Sequence, residues 1–374
     1  MRIVYFATWN ETGGGNRHLA NLMLRLQNDF DCMVVICSTV EDEIRDLFLK
    51  AGLRPQQIIF VPHWQKIFFV PFLFTLRKVF KKMKPDIIHS FGIQADIFSA
   101  LSVIGLNRIR LIGYYESQPL TSNTGKLKNL FYSFINRIVG EKFCRTIAVS
   151  EGIKQELILQ KVRKSETIDV VYLGIDNSWN NNANIAVDKN RSFPIIGTVG
   201  RLSAEKRLDR IIRIMPKIVS IYPKAQLIFV GKGIEQNYLE NLSQEHGIEN
   251  NVKFTGWVAD VGAVIRTFDF FVMSSAREGC PNALLEAMSF AKPVIVSDIP
   301  GINEIISNGR DGLLIDTENV EIFAEAILKL CQDLSFAVSL GQAAHKKVLE
   351  KFSAAKEIES LKNIYNRYAG NDLK

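Results

Sequence analysis

The stretch NSWNNNANIAVDKNRS (Asn177–Ser192), followed at once by FPIIGTVG (Phe193–Gly200), decides how this chain is read. The first part is polar, asparagine-rich and without periodicity, which marks a linker. The second is a short apolar, β-branched run closed by a glycine, which reads as a strand. Upstream, IVYFAT, CMVVICS, IIHSF and RLIGYY have the same character, and segments such as NRHLANLMLRLQ between them carry apolar residues at helical spacing. Downstream the alternation restarts through AQLIFVG, VKFTG, FDFFVMS and KPVIVSD. Strand, helix, strand, repeated on both sides of a linker, predicts an α/β protein of two doubly wound parallel sheets. Ligands of such sheets bind beyond the carboxyl ends of the strands, so a cleft between the halves is the expected site.

Bulk properties agree with this reading. The 374 residues are too many for one ordinary core. With 47% hydrophobic and 23% charged residues the chain is globular, which excludes a disordered or low-complexity protein. The longest apolar run, Ile67–Leu76, is half of what a bilayer requires and contains Pro71, so no transmembrane helix is expected. Met1–Thr8 reads as a first strand rather than a signal peptide. Cys32, Cys37, Cys144, Cys280 and Cys331 have neither framework nor metal spacing and read as free thiols of a cytosolic protein.

The formal charge of +7 lies wholly in residues 1–176, which hold 23 Lys/Arg against 16 Asp/Glu, while residues 177–374 hold 23 of each. The halves therefore face different partners. The basic half contains HWQKIFFVPFLFTLRKVFKKMK (His63–Lys84), with six Lys/Arg, no acid and many aromatics. That composition suits an anionic membrane surface better than a core-facing helix with a solvated basic edge, and no nucleic-acid partner is expected.

Three constellations carry chemistry. In TWNETGGGNRHLANLML, Gly13–Gly15 follow a strand and precede a helix, where glycines let backbone N–H groups approach an anion; without GxGxxG spacing this is no dinucleotide fingerprint. In GTVGRLSAEKRLD, Gly200 ends a strand, and Arg201 and Lys206 follow around a helix start. A guanidinium and an ammonium there can clamp a diphosphate and take up leaving-group charge. In REGCPNALLEAM (Arg277–Met288), Glu278 precedes a glycine and Pro281, which suits a first helical turn, while Glu286 sits in the second turn and leans back toward the helix mouth. Exposed amides at that mouth favour an anion, and two carboxylates flanking a phosphate would instead take sugar hydroxyls, a ribose on one side and a hexose on the other. Together these features match a nucleotide-sugar. No His/Cys ligand cluster is present, so neither a metal nor another cofactor is expected and the cations and helix mouth supply the charge compensation.

GRLSAEKRLD, VGKG, VKFTGWV, REGCPNALLEAM and KPVIVSDIPGINEII resemble, in order and spacing, the C-terminal half of glycosyltransferase family 4 (glycosyl transferases group 1), retaining enzymes with the GT-B fold. The E-x7-E pair, Glu278 and Glu286, is among its most specific marks. The resemblance runs from about Arg2 to Tyr368 and is weaker in the N-terminal half; IAVSEGIKQEL and VVYLGID resemble the closing segments of the first domain, and FSAAKEIESLKNIYNRY the terminal helix that crosses back. It implies GT-B architecture, two Rossmann-like doubly wound domains facing across a cleft: residues 1–176 for the acceptor, 177–192 as linker, 193–352 for the nucleotide-sugar, and 353–374 as the returning helix. It implies that Arg201 and Lys206 hold the donor diphosphate, that Glu286 binds the ribose and that Glu278 contacts the hexose. It places Gly256, Trp257 and Val258 at the base, Gly14 and Gly15 in a loop closing over the donor, and Gly200, Gly279, Cys280 and the amides of Asn282 and Ala283 in the donor site.

Two departures stand out. Relatives often carry a histidine after the strand read here as RLIGYYES, where this chain has Tyr115 and Glu116; Glu116 is the expected functional equivalent, as a base or an acceptor ligand. His89-Ser90-Phe91 stands where many relatives have two histidines, and His89 reads as a strand-end residue satisfied by hydrogen bonds. The resulting expectation is a cytoplasmic retaining hexosyltransferase, peripheral at the inner face of the cell membrane. It would use a UDP- or GDP-linked sugar, a glycan or polyprenyl-diphosphate-linked acceptor and no metal, in bacterial surface polysaccharide synthesis. A nucleotide-sugar epimerase on the same fold, or a degenerate donor-binding subunit, are the alternatives.

Overall fold

The computed structural model describes residues 1–9, 13–63, 68–106, 108–117, 135, 137–176 and 193–369; the linker expected at 177–192 lies outside the described residues, as do 64–67 of the basic aromatic segment and 370–374 of the terminal one. The chain divides into two compact units, Met1–Tyr172 with Glu357–Lys374, and Leu173–Lys356. Three residues beyond Tyr172, the backbone of Ile175 pairs with Phe352 and Ala354. That pairing keeps 173–176 and 353–356 in the second unit.

The N-terminal unit contains β1 (Arg2–Trp9), α1 (Gly14–Leu26), β2 (Asp31–Ser38), α2 (Glu41–Ala51), β3 (Ile58–Val61), α3 (Phe69–Met83), β4 (Ile87–Phe91), α4 (Gly92–Ser102), β5 (Arg110–Tyr115), β6 (Phe143–Ala148), α5 (Glu151–Leu159) and β7 (Ile168–Val170). All seven strands are parallel in the order β3-β2-β1-β4-β5-β6-β7. A parallel sheet is covered on both faces, so its strands are continuously apolar rather than alternating, and Ile3 to Ala7 are wholly buried. Each helix turns one stripe inward: Leu19, Leu22, Met23 and Leu26 on α1, and Phe72, Leu76, Phe80 and Met83 on α3. The other side of α3 leaves Phe69, Val70 and Phe74 in solvent, next to an almost fully exposed Phe68.

The second unit contains β8 (Ile195–Val199), α6 (Asp209–Ile221), β9 (Gln226–Val230), α7 (Gln236–Glu245), β10 (Val252–Phe254), α8 (Val261–Thr267), β11 (Phe270–Met273), α9 (Asn282–Ser289), β12 (Val294–Ser297), α10 (Ile302–Ile305), β13 (Leu313–Ile315), α11 (Val320–Gln332) and α12 (Leu334–Lys351). Its strands are parallel in the order β10-β9-β8-β11-β12-β13. The last helix, α13 (Ala354–Ala369), passes into the N-terminal unit at Glu357. It buries Leu361, Ile364 and Tyr365 there. In each sheet the strand order reverses once, between β1 and β4 and between β8 and β11. Loops leaving the carboxyl ends of those strands diverge and leave a crevice, which is where such sheets bind ligands.

Candidate active site

In the second unit both motif loops leave the strands that flank the reversal. Gly200 and Arg201 follow β8, while Ser274, Ser275 and Glu278 follow β11. Backbone and side-chain bonds tie the two loops together: Ala276 N–H donates to Glu205 O at 2.9 Å, and Ser274 Oγ donates to the carbonyls of Lys206 (3.0 Å) and Arg207 (2.7 Å). Across this junction Lys206 Nζ donates to Glu278 Oε1 at 2.6 Å, and Ser275 Oγ donates to the same oxygen at 2.7 Å. These side chains are mostly buried, Lys206 23% and Glu278 10% exposed. Arg201 is more open and pairs with Glu205 at 2.7 Å, one helical turn on in sequence. Thr198, Gly200, Arg201, Lys206, Met273 and Ser275 line a pocket at this junction.

Glu278 is held from below as well. Gly301 has φ +87°, and a Cβ there would come 2.3 Å from Gly279 O and 2.6 Å from Glu278 O, so only glycine fits under the loop. Cys280 is buried. Pro281 stands one residue ahead of the first turn, contrary to the sequence expectation. Its extended ψ of 115° makes it the residue before α9, with its carbonyl accepting from Leu284 and Leu285. A proline offers no side-chain acceptor and α9 has no side-chain cap, so the amides of Asn282 and Ala283 at its start have no acceptor within the helix. Half-buried Glu286 lies in the second turn. Gly256, at φ +68°, pairs with Gly231 at the end of β9, and Trp257 beside it is largely exposed.

In the N-terminal unit the structure joins three residues of which the sequence singled out one. His18 on α1 has Nδ1 3.0 Å from Glu116 Oε1 and Nε2 2.6 Å from Glu357 Oε1. Burial alone would suppress the imidazolium, but the two carboxylates outweigh it and push the pKa up to about 10. Gly14 and Gly15 form the first turn of α1, and Gly15 lies against Glu116. His89 is not at a strand end: it is the wholly buried centre of β4. Its Nδ1 meets Tyr365 OH at 2.6 Å, while Nε2 has no hydrogen-bond partner among the described residues. Burial, with the His18 charge adding to it, lowers its pKa to about 3.

The family of glycosyl transferases group 1 matches residues 181–347, and glycosyltransferase family 4 matches residues 12–179. The chain belongs to glycosyltransferase family 4. It is 28% identical to the capsular polysaccharide biosynthesis glycosyltransferase CapM of Staphylococcus aureus, over 78% of this chain and 79% of that one. It is 25% identical to the UDP-Gal:alpha-D-GlcNAc-diphosphoundecaprenol alpha-1,3-galactosyltransferase of Escherichia coli, over 78% of each. The fold superposes on that of Anabaena Alr3699/HepE, solved in complex with UDP-glucose, with a TM-score of 0.83 at 18% identity, covering 98% of this chain and 100% of the other. The fold is thus GT-B, built from two Rossmann-like units, and the protein is a glycosyltransferase.

In this family 4 glycosyltransferase, Arg201, Lys206 and Glu278 share one junction with Gly200, Gly279 and the start of α9, while Gly14, Gly15 and Glu116 gather in the other unit. Sequence reasoning missed Ser274, Ser275, Glu205, Gly301, His18 and Glu357. The two serines directly after β11 were a readable signal. The partners of His18 were not, since 98 and 339 residues separate it from them. Among the described residues no group of three His, Cys, Asp or Glu is placed to hold a metal ion, and no helix is long and apolar enough to cross a membrane.

Proposed function

We propose that this glycosyltransferase moves a hexose from a UDP- or GDP-linked sugar to a glycan or polyprenyl-diphosphate-linked acceptor, with retention at the anomeric carbon, in surface polysaccharide synthesis. The observation that carries the reading is the Lys206–Glu278–Ser275 junction beside an uncapped helix start. Cations and amides gather there for a diphosphate, with carboxylates for the sugars on either side. The ion pair of Arg201 with Glu205 is half exposed and contributes about 0.2–1 kcal/mol, so exchanging that pair for a diphosphate costs little. Glu286 takes the ribose, Glu278 positions the hexose, and Gly256–Val258 meet the base. The acceptor oxygen bonds to the anomeric carbon as the bond to the diphosphate breaks; the diphosphate leaves with the electron pair toward Arg201 and Lys206. The acceptor proton passes to Glu116, and no metal takes part.

Support for the substrate class comes from the relatives: one is named for galactose transfer from UDP-Gal to a diphosphoundecaprenol-linked sugar, another for capsular polysaccharide. HepE was solved with UDP-glucose. The exposed Phe68, Phe69 and Phe74 beside the lysines of α3 favour a peripheral position at an anionic, cytoplasmic membrane face. The test is a panel of UDP-, GDP- and ADP-sugars in EDTA, following thermal stabilisation and nucleoside diphosphate release with and without a lipid-linked acceptor. One stabilising donor, with release that needs the lipid acceptor, is expected. Release of an epimerised nucleotide-sugar with no acceptor, or no response to any donor, would overturn the reading.

A further inference from the structure

Glu116 stands directly after β5, and an imidazole reaches it from α1. His18 sits between two carboxylates, Nδ1 on Glu116 Oε1 at 3.0 Å and Nε2 on Glu357 Oε1 at 2.6 Å. Carboxylate oxygens only accept, so the one form of the ring that donates to both is the imidazolium. A neutral ring would set a bare nitrogen lone pair against an oxygen. The cluster then carries one positive and two negative charges. The surplus negative charge falls on the member that water can reach, because the Glu116 side chain is 27% exposed while those of His18 and Glu357 are 5% and 1%.

Geometry also separates the two carboxylate oxygens of Glu116. Oε1 of Glu116 is taken by His18. Oε2 points at the first turn of α1, where a Cβ on Gly15 would lie 2.7 Å from it. The strand beneath is rigid: the His18 ring stacks with Tyr114 at 6.1 Å, and Tyr115 OH donates to buried Asp96 Oδ2 at 2.6 Å. Asp96 is itself bound by Arg163 and Ser90.

We propose that His18 is the positioning residue for Glu116, and that Glu357 of the last helix holds His18 in turn, so that α13 completes the acceptor-side chemistry of the N-terminal unit. The inference rests on the reading that Glu116 takes part in transfer. An ion-pair network that only stabilised α1 would not need its most exposed carboxylate, Glu116, to stand at the carboxyl end of β5.

The test compares Glu116→Ala, Glu116→Gln, His18→Gln and Glu357→Gln in the full-length protein, with the donor and acceptor identified by the panel. Removing a proton acceptor lowers kcat by about 10²–10⁴-fold, and Glu116→Ala is expected in that range. Misplacing a catalytic group by about 1 Å costs about 10²-fold, so His18→Gln is expected to lose about 10–100-fold in kcat with donor KM within about threefold. Glu357→Gln is expected to lose less, and ¹⁵N spectra at pH 8 should show both nitrogens of His18 protonated in the parent and in Glu116→Gln but one in Glu357→Gln. If His18→Gln does not fold, Glu357→Gln, which keeps the side-chain shape, carries the test. Wild-type kcat in both His18→Gln and Glu357→Gln with an inactive Glu116→Ala would overturn the proposal alone. Wild-type kcat in Glu116→Ala would overturn the role of Glu116 itself.

Discussion

Replacing Lys206 with alanine separates two jobs that one ammonium can do. Its Nζ lies 2.6 Å from Glu278 Oε1, and without it that oxygen keeps only the Ser275 hydroxyl at 2.7 Å. A hydrogen bond to a charged group contributes about 1.5–3 kcal/mol. Lys206 is 23% exposed, so solvent screening reduces this to about 1–2 kcal/mol. At about 2–4 °C per kcal/mol for a domain of this size, Tm should fall by about 2–8 °C. If the ammonium also takes up charge on the departing diphosphate, the catalytic loss is larger: removing one such donor costs about 10²–10³-fold, or about 2.7–4 kcal/mol of barrier. The assay is nucleoside diphosphate release under saturating acceptor, with Tm measured on the same preparation. Arg201→Ala is the internal comparison. Its pair with Glu205 is half exposed and worth about 0.2–1 kcal/mol, so kcat/KM should fall while Tm stays within about 4 °C. A Lys206→Ala enzyme that lost Tm as calculated but less than about fivefold in kcat/KM would refute the reasoning, since Lys206 would then be only a clamp for Glu278.

Gly301→Ala should push against the carbonyls of Glu278 and Gly279; the chain is expected to fold with reduced Tm, and donor KM should rise about tenfold or more because Glu278 moves. Two histidines should shape stability against pH in opposite directions. His89, held near 3 by burial, binds its proton only in the unfolded chain between about pH 6.5 and 3, so stability falls as pH drops through that window; His89→Asn should flatten the acid limb of a Tm–pH curve. His18, raised to about 10, contributes stability that is full below about pH 6.5 and lost as pH climbs toward 10, and Glu357→Gln should flatten the alkaline limb. Phe68→Ser with Phe74→Ser should weaken sedimentation with anionic vesicles by about tenfold or more, since these side chains are 88% and 61% exposed and burying a Phe contributes about 1.5–3 kcal/mol; equal binding to neutral vesicles would argue against a role for the α3 lysines.

Strand composition, helical periodicity and the placement of glycine and proline are short-range properties, and they made two doubly wound sheets legible from residues alone. The same locality exposed Arg201 with Lys206, and Glu278 with Glu286, because each pair lies within one loop-and-helix segment. Several short strands escaped: β3, β6, β7 and β13 have three to six residues, too few for a period to declare itself beside longer apolar runs. Tertiary structure alone decided which loops meet. Strand order brought the ends of β8 and β11 side by side, and so joined Lys206 to Glu278 across 72 residues. It also decided what surrounds each charge. His18 and His89 are the same residue type, yet one is held charged by two carboxylates and the other neutral by burial against aromatic rings. A sequence states which groups can ionise; the dielectric and the partners that set their charge come from segments brought together only by folding.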